Sequence, residues 1–121
     1  MKTVLVVEDS RTDQRLIVAL LQQVGLKVAV SDSAESAWLW LTTNGRPDLI
    51  VLDIVMPGLS GFDLCRQIRA NPQFENIPIV FCSSKNQQFD QFWALRQGGN
   101  AYVTKPFAPL DLVKTVCNHL N

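Results

Sequence analysis

The sequence lacks a long apolar run at its start, a net charge and closely spaced cysteines, and each absence excludes a class of protein. Only four apolar residues stand between Thr3 and Glu8, too few for a signal peptide or a membrane span. Eleven basic and eleven acidic residues cancel, which argues against a nucleic-acid-binding surface or attraction to an anionic membrane. We therefore expect a cytoplasmic protein that binds no nucleic acid and does not insert into a membrane.

The three cysteines are odd in number and widely scattered, which excludes a disulfide framework and a Cys-x-x-Cys metal site. Cys65, Cys82 and Cys117 are each expected to be small core residues. With 121 residues and 47% hydrophobic composition, the chain is long enough for one core and too short for two ordinary domains. The expectation is a single domain over residues 1–121 without an output domain.

Five short apolar runs alternate with five longer stretches along the chain. The runs are rich in β-branched residues and predict strands at residues 4–7, 28–30, 49–52, 79–82 and 101–104. In the longer stretches apolar residues recur three and four apart, which predicts helices. These helices are marked by Leu16, Ala19, Leu20 and Val24, by Ala37 and Leu41, by Leu64 and Ile68, and by the ranges 88–97 and 110–120. The predicted fold class is α/β, a doubly wound parallel sheet of five strands.

Polar residues follow four of the predicted strands and are expected to meet at one edge of the sheet, where doubly wound proteins bind ligands. They are Glu8 and Asp9, Asp53, Ser83, and Lys105. Three carboxylates in one cleft repel one another unless a cation balances them. Oxygen ligands without clustered histidine or cysteine favour Mg²⁺ or Mn²⁺. One carboxylate is then available as a nucleophile toward a phosphoryl group, whose oxygens the cation, Lys105 and Ser83 would hold.

In their order and spacing these five residues resemble the site of the receiver domains of two-component response regulators, especially the stand-alone type used in chemotaxis and pilus-driven motility. The resemblance covers the whole chain. It implies the flavodoxin-like strand order 2-1-3-4-5. It also implies a protein that accepts a phosphoryl group from a histidine kinase and assists only its own phosphorylation and dephosphorylation. We therefore expect a signalling phosphoacceptor and not an enzyme.

The resemblance assigns the acidic residues to two tasks. Asp53 is implied to be the phosphoacceptor. Glu8, Asp9 and Asp53 are implied to bind Mg²⁺ or Mn²⁺, with the backbone carbonyl of Val55 as a further ligand. The acid Asp13, by contrast, is expected to be an N-cap of the first helix rather than a metal ligand.

The resemblance also implies how the phosphoryl group is held and sensed. Ser83 and Lys105 are implied to contact the phosphoryl oxygens, and the family's lysine is usually followed by a cis peptide bond, here Lys105–Pro106. Tyr102 stands where the family carries an aromatic ring that turns inward when the hydroxyl moves toward the phosphate. Serine in place of the commoner threonine at position 83 keeps the hydroxyl but loses a methyl group.

The face of the fourth helix and fifth strand is implied to change with phosphorylation and to bind a downstream protein. Phe89, Trp93 and Tyr102 are the candidate contact residues, whereas Phe92 and one of its neighbours are expected to pack inward. The segment 83–98 is similar to regulators of twitching motility, since it starts with Ser-Ser-Lys and finishes with Trp-x-x-Arg-Gln-Gly. We expect a monomer or weak dimer in chemotaxis, phototaxis or twitching motility.

Other interpretations are open at this point. A non-phosphorylated pseudo-receiver would keep the apolar pattern but lose parts of the acidic pocket, and an intermediate of a phosphorelay is a further possibility. A flavodoxin-type flavin carrier needs small hydroxylated residues where Glu8 and Asp9 stand. A haloacid-dehalogenase-type phosphatase needs an acid at position 55, where this chain has Val55.

On the second helix, one of Trp38 and Trp40 is expected to be exposed, because residues two apart on a helix point in different directions.

Overall fold

The computed structural model describes residues 1–120 and shows five parallel strands in the order β2-β1-β3-β4-β5. The predicted fold class and strand order are confirmed. The strands and helices alternate strictly along the chain. Their bounds are β1 Thr3–Val7, α1 Arg11–Gln23, β2 Lys27–Ser31, α2 Ala34–Asn44, β3 Leu49–Leu52, α3 Gly61–Arg69, β4 Ile79–Ser83, α4 Gln88–Arg96, β5 Ala101–Thr104 and α5 Pro109–His119.

The central strands are apolar throughout because both faces of the sheet are covered. Successive side chains of a strand point to opposite faces, so Leu5 and Val7 of β1 enter one core and Val4 and Val6 enter the other. Helices α2, α3 and α4 pack on the first face, and α1 and α5 on the second. No helix within residues 1–120 combines the length and apolar character needed to cross a membrane.

Helix α1 is present as predicted, and not all of the apolar residues that mark it pack against the sheet. Ile17 and Leu21 face the sheet, while Leu16 and Val24 are exposed. The apolar residues of this helix form two overlapping stripes three and four apart, and spacing alone does not show which stripe packs inward. Ser10 is the N-cap, and its Oγ accepts a hydrogen bond from the backbone N–H of Asp13. The expectation that Asp13 caps the helix is therefore wrong.

Two further expectations about single side chains need correction. Cys65 and Cys82 are core residues as expected, but Cys117 is exposed on α5. Burial raises the pKa of the Cys65 thiol to about 11 and that of Cys82 to about 12, so both stay protonated at neutral pH. Trp38 and Trp40 are both half-buried against the core, since a large indole reaches back to the sheet from the flank of a helix.

Candidate functional site

The tips of four strands bring the sequence-predicted polar residues to one edge of the sheet. Glu8 directly follows β1, Asp53 follows β3, Ser83 ends β4 and Lys105 follows β5. Backbone hydrogen bonds continue the sheet to these tips: the N–H of Asp53 donates to Val7 O at 3.0 Å, and that of Lys105 to Ser83 O at 2.8 Å. The side chains are thus held at the hydrogen-bonded ends of the strands.

Three carboxylates converge at this edge. One oxygen each from Glu8, Asp9 and Asp53 lies within 4.8 Å of the other two. Glu8 and Asp53 are buried and Asp9 is exposed, so the cluster opens to solvent on one side. Oxygen atoms so arranged, without histidine or cysteine among them, suit a hard divalent cation.

Lys105 places its ammonium group among the acids. Its Nζ donates to Glu8, to Asp13 Oδ2 at 2.9 Å and to Asp53 Oδ2 at 3.4 Å. Asp13 was not predicted to reach the pocket. The one signal for it is its place in the first turn of α1, which starts beside the Glu8-Asp9 pair and so directs that turn toward the site.

Burial and the neighbouring charged groups shift the pKa values of Glu8 and Lys105 in opposite directions. Burial raises the pKa of Glu8 to about 7, although its hydrogen bond from Lys105 lowers it. Burial also lowers the pKa of Lys105, but its hydrogen bonds to Glu8 and Asp13 and the charge of Asp53 outweigh that effect and raise it above its ordinary value. The ammonium of Lys105 therefore stays charged at neutral pH.

The loop after β3 closes tightly around Asp53. The backbone N–H of Ile54 donates to Asp53 Oδ1 at 2.7 Å, which fixes one carboxylate oxygen. A Cβ atom at Gly61 would lie 2.0 Å from the backbone oxygen of Asp53, so only glycine allows α3 to begin here. Gly61 was not singled out from the sequence. Val55 in the same loop is exposed.

Ser83 and Tyr102 are both linked to one residue of the loop after β4. Ser83 is buried, and its Oγ accepts a hydrogen bond from the N–H of Lys85 at 3.3 Å. The hydroxyl of half-buried Tyr102 donates to the carbonyl of Lys85 at 2.6 Å. Burial raises the pKa of Tyr102, so its hydroxyl remains a donor. The Lys105–Pro106 peptide bond beside them is cis.

Helix α4 presents its aromatic residues to solvent. Phe89 and Trp93 stack with their ring centroids 6.1 Å apart, and both are exposed. The expectation that Phe92 packs inward is wrong, since it is 58% exposed and only Ala94 of this helix is buried. Since Ala94 is the one buried residue of α4, the apolar residues of this helix do not show how little of it packs against the sheet.

Comparison with known proteins agrees with this geometry. The chain matches the family described as "Response regulator receiver domain" over residues 4–117. It is 34% identical to Protein PilH of Pseudomonas aeruginosa over 116 residues, which cover 96% of this chain and 95% of PilH. Other relatives are longer, and the chain spans only 48% of their length.

Solved structures of about 28% identity share the whole fold. Chemotaxis protein CheY4 of Vibrio cholerae superposes with a TM-score of 0.91 at 27% identity, over 99% of both chains. The Mn²⁺-bound form of response regulator Rcp1 superposes with a TM-score of 0.82 at 28% identity, over 98% of this chain and 91% of that one. The resemblance drawn from the five pocket residues is thus confirmed, and the chain belongs to the response regulator receiver domains.

Proposed function

We propose that this protein is a response regulator that accepts a phosphoryl group from the phosphohistidine of a histidine kinase onto Asp53 and signals by phosphorylation-dependent protein binding. The observation that carries the proposal is the meeting of three carboxylates and one ammonium group at the tips of β1, β3 and β5. Phosphoryl transfer depends mainly on position and charge, and this arrangement supplies both. The protein is a phosphoacceptor rather than an enzyme that turns over an external substrate.

The donor set fits Mg²⁺ or Mn²⁺. Glu8, Asp9 and Asp53 offer three carboxylate oxygens within 4.8 Å of one another. These three side chains would hold the ion, with the backbone carbonyl of Val55 as a further ligand. When bound, the ion would offset the negative charge of the incoming phosphoryl group. The Mn²⁺-bound structure of Rcp1 is consistent with this assignment.

The chain's own residues then account for the transfer step. A carboxylate oxygen of Asp53 attacks the phosphorus, so an O–P bond forms while the P–N bond to the donor imidazole breaks and its electron pair stays on the nitrogen. Lys105, 3.4 Å from Asp53 Oδ2, balances charge on the phosphoryl oxygens, and the Ser83 hydroxyl donates to one of them. The Ile54 N–H holds the other carboxylate oxygen of Asp53 in place.

The signal would pass through the loop after β4. When the Ser83 hydroxyl turns to a phosphoryl oxygen, its hydrogen bond from the Lys85 N–H is lost. A shift of Lys85 also moves the carbonyl that holds the Tyr102 hydroxyl, which frees this ring to turn inward. The surface altered by these movements contains Phe89, Trp93 and Tyr102, and we propose it as the contact face for a downstream protein.

We propose that this signalling serves motility, either chemotaxis or phototaxis or the twitching driven by type IV pili. Two similarities support the proposal. The segment 83–98 is similar to twitching-motility regulators, and PilH and chemotaxis protein CheY4 match nearly the full length of the chain.

Labelling with a small phosphodonor tests the phosphoacceptor. Wild-type protein incubated with acetyl phosphate and Mg²⁺ is expected to gain one acid-stable, hydroxylamine-sensitive phosphoryl group, detected by intact-mass spectrometry. Asp53→Asn should gain none, because the nucleophilic carboxylate is removed while the shape of the side chain is kept. Asp32→Asn, an exposed acid after β2, is the matched control and should label like the wild type. Equal labelling of Asp53→Asn and wild type would contradict the proposal, as would no labelling of either.

A further inference from the structure

The ammonium group of Lys105 has three N–H groups and three carboxylate partners. Its Nζ contacts Glu8, Asp13 Oδ2 at 2.9 Å and Asp53 Oδ2 at 3.4 Å. A lysine side chain has three donors and no acceptor, so every donor has a partner in this state. Before Lys105 can bind a phosphoryl oxygen, one of these three bonds must be given up.

The three bonds differ in what it costs to break them. The Glu8 side chain is only 2% exposed, so water cannot take the place of the lysine there. The bond to Asp53 is the longest of the three, and Asp53 itself receives the phosphoryl group. The Asp13 side chain is 36% exposed, so water can replace the lysine there at little cost.

We propose that Asp13 is a positioning residue: it holds one N–H of Lys105 in the resting protein and yields it to the phosphoryl group on Asp53. The proposal rests on the proposed function of Asp53. It makes Asp13 a competitor of the phosphoryl group for the same donor. Removing its charge should therefore strengthen the bond between Lys105 and the phosphoryl group.

The position of Asp13 separates this role from metal binding. Glu8, Asp9 and Asp53 form the carboxylate cluster, and Asp13 approaches Lys105 from α1, outside that cluster. The N-cap hydrogen bond of α1 runs from the backbone N–H of Asp13 to the Ser10 side chain and does not involve the Asp13 carboxylate. Exchange of that carboxylate for an amide therefore leaves the cap intact. Asp13→Asn thus removes a partner of Lys105 without removing a cluster ligand.

The test measures the affinity of beryllofluoride, an analogue of the phosphoryl group, at saturating Mg²⁺. Asp13→Asn is expected to bind it about two- to fivefold more tightly than the wild type, the range typical of a half-exposed ion pair. Asp13→Glu, which keeps the charge, should return close to the wild-type affinity. Glu75→Gln, the same loss of charge in the loop between α3 and β4 at the opposite edge of the sheet, should leave the affinity unchanged.

A double-mutant cycle with Lys105→Met shows whether Asp13 acts through the lysine. The gain in beryllofluoride affinity from Asp13→Asn should disappear when Lys105 is replaced by methionine. The same cycle is also measured with the initial rates of acetyl phosphate labelling. These rates give the coupling between Asp13 and Lys105 even if the Lys105→Met proteins bind beryllofluoride too weakly for an affinity to be measured. Thermal unfolding midpoints confirm that each variant is folded.

The outcomes separate the two proposals. If wild-type protein binds no beryllofluoride and accepts no phosphoryl group, the proposed function fails. If the wild type does both but Asp13→Asn matches it, or if the gain persists in the Lys105→Met background, the function stands and the role of Asp13 is refuted. A persistent gain would show that Asp13 acts only as a general negative charge near the pocket.

Discussion

Helices α3 and α4 have nine residues each and lie on the same face of the sheet, yet they are held in different ways. Helix α3 buries Gly61, Leu64, Cys65 and Ile68, whereas α4 buries only Ala94. Each helix has an acid in its first turn that accepts a hydrogen bond from the N-cap N–H, Asp63 in α3 and Asp90 in α4, but only in α3 does the N-cap side chain, that of Ser60, accept a bond in return. The comparison shows that α3 belongs to the scaffold behind Asp53, while α4 is a lightly packed element with its apolar side chains left in solvent.

The two ends of α4 also differ. At its C-terminal end, the Arg69 guanidinium of α3 donates to the carbonyls of Gly98, Glu75 and Ile77 and to the Asn100 side chain. The N-terminal end is tied to the site through the two hydrogen bonds of Lys85. In the proposed switch, a movement that starts at Ser83 would therefore displace the N-terminal end of α4 more readily than the C-terminal end.

The largest effect expected from this comparison is on stability. Ile68→Ala in α3 should lower the free energy of unfolding by about 2–4 kcal/mol, because it leaves a cavity in the core. Leu95→Ala on α4 is the matched aliphatic control and should cost at most about 0.5 kcal/mol, since Leu95 is exposed. Urea unfolding measures both values. Equal losses for the two variants would show that α4 is packed as tightly as α3.

An intermediate effect is expected at the junction between the two helices. Arg69→Gln removes the charged donor that joins α3 to the loop after α4 and should destabilise the protein by about 1–3 kcal/mol. Amide hydrogen exchange of residues 97–100 should accelerate more than that of residues 84–88. Arg96→Gln is the control, because exposed Arg96 lies over the Phe92 ring and should change stability by about 0.5 kcal/mol or less. Faster exchange only at residues 84–88 would contradict a fixed C-terminal end.

The smallest effect on stability is expected at the aromatic pair of α4. Phe89→Ala removes a stacked but exposed ring and should change the free energy of unfolding by about 0.5 kcal/mol or less. Phosphorylation of Asp53 by acetyl phosphate should proceed at the wild-type rate. Binding of the phosphorylated protein to its target should weaken, and the target is first captured from the native host and identified. A large loss of stability would mean that this ring supports the fold rather than a contact face.

Most of the fold and the five pocket residues were predictable because their signals are local. Each strand is a short apolar run, and Glu8, Asp53, Ser83 and Lys105 stand immediately after or at the end of such a run. The roles of Asp53, of the Val55 carbonyl and of Tyr102 remain predictions that labelling and binding experiments test. The role of Gly61 was not predictable, because a close approach between two backbone segments leaves no mark on composition.

The errors of prediction share one physical cause. Apolar spacing shows that a helix has a face but not which side the sheet covers, so Phe92 was placed inward on α4, although it is exposed. On α1 the same spacing included Leu16, which is exposed. Cys117 was assigned to the core by residue type alone, although α5 turns it to solvent. In each case the packing of a neighbouring element decided the outcome.

The α/β class, the positions of the strands and helices and the residues at the edge of the sheet follow from the sequence alone, because strand and helix periodicities are properties of neighbouring residues. Which groups share the N–H donors of Lys105 at that edge depends on the tertiary structure. Asp13 and Lys105 are 92 residues apart in the chain and 2.9 Å apart in space. The place of Asp13 in the first turn of α1 indicates only that it lies near the pocket, since the contact itself depends on how α1 and β5 pack against the same sheet.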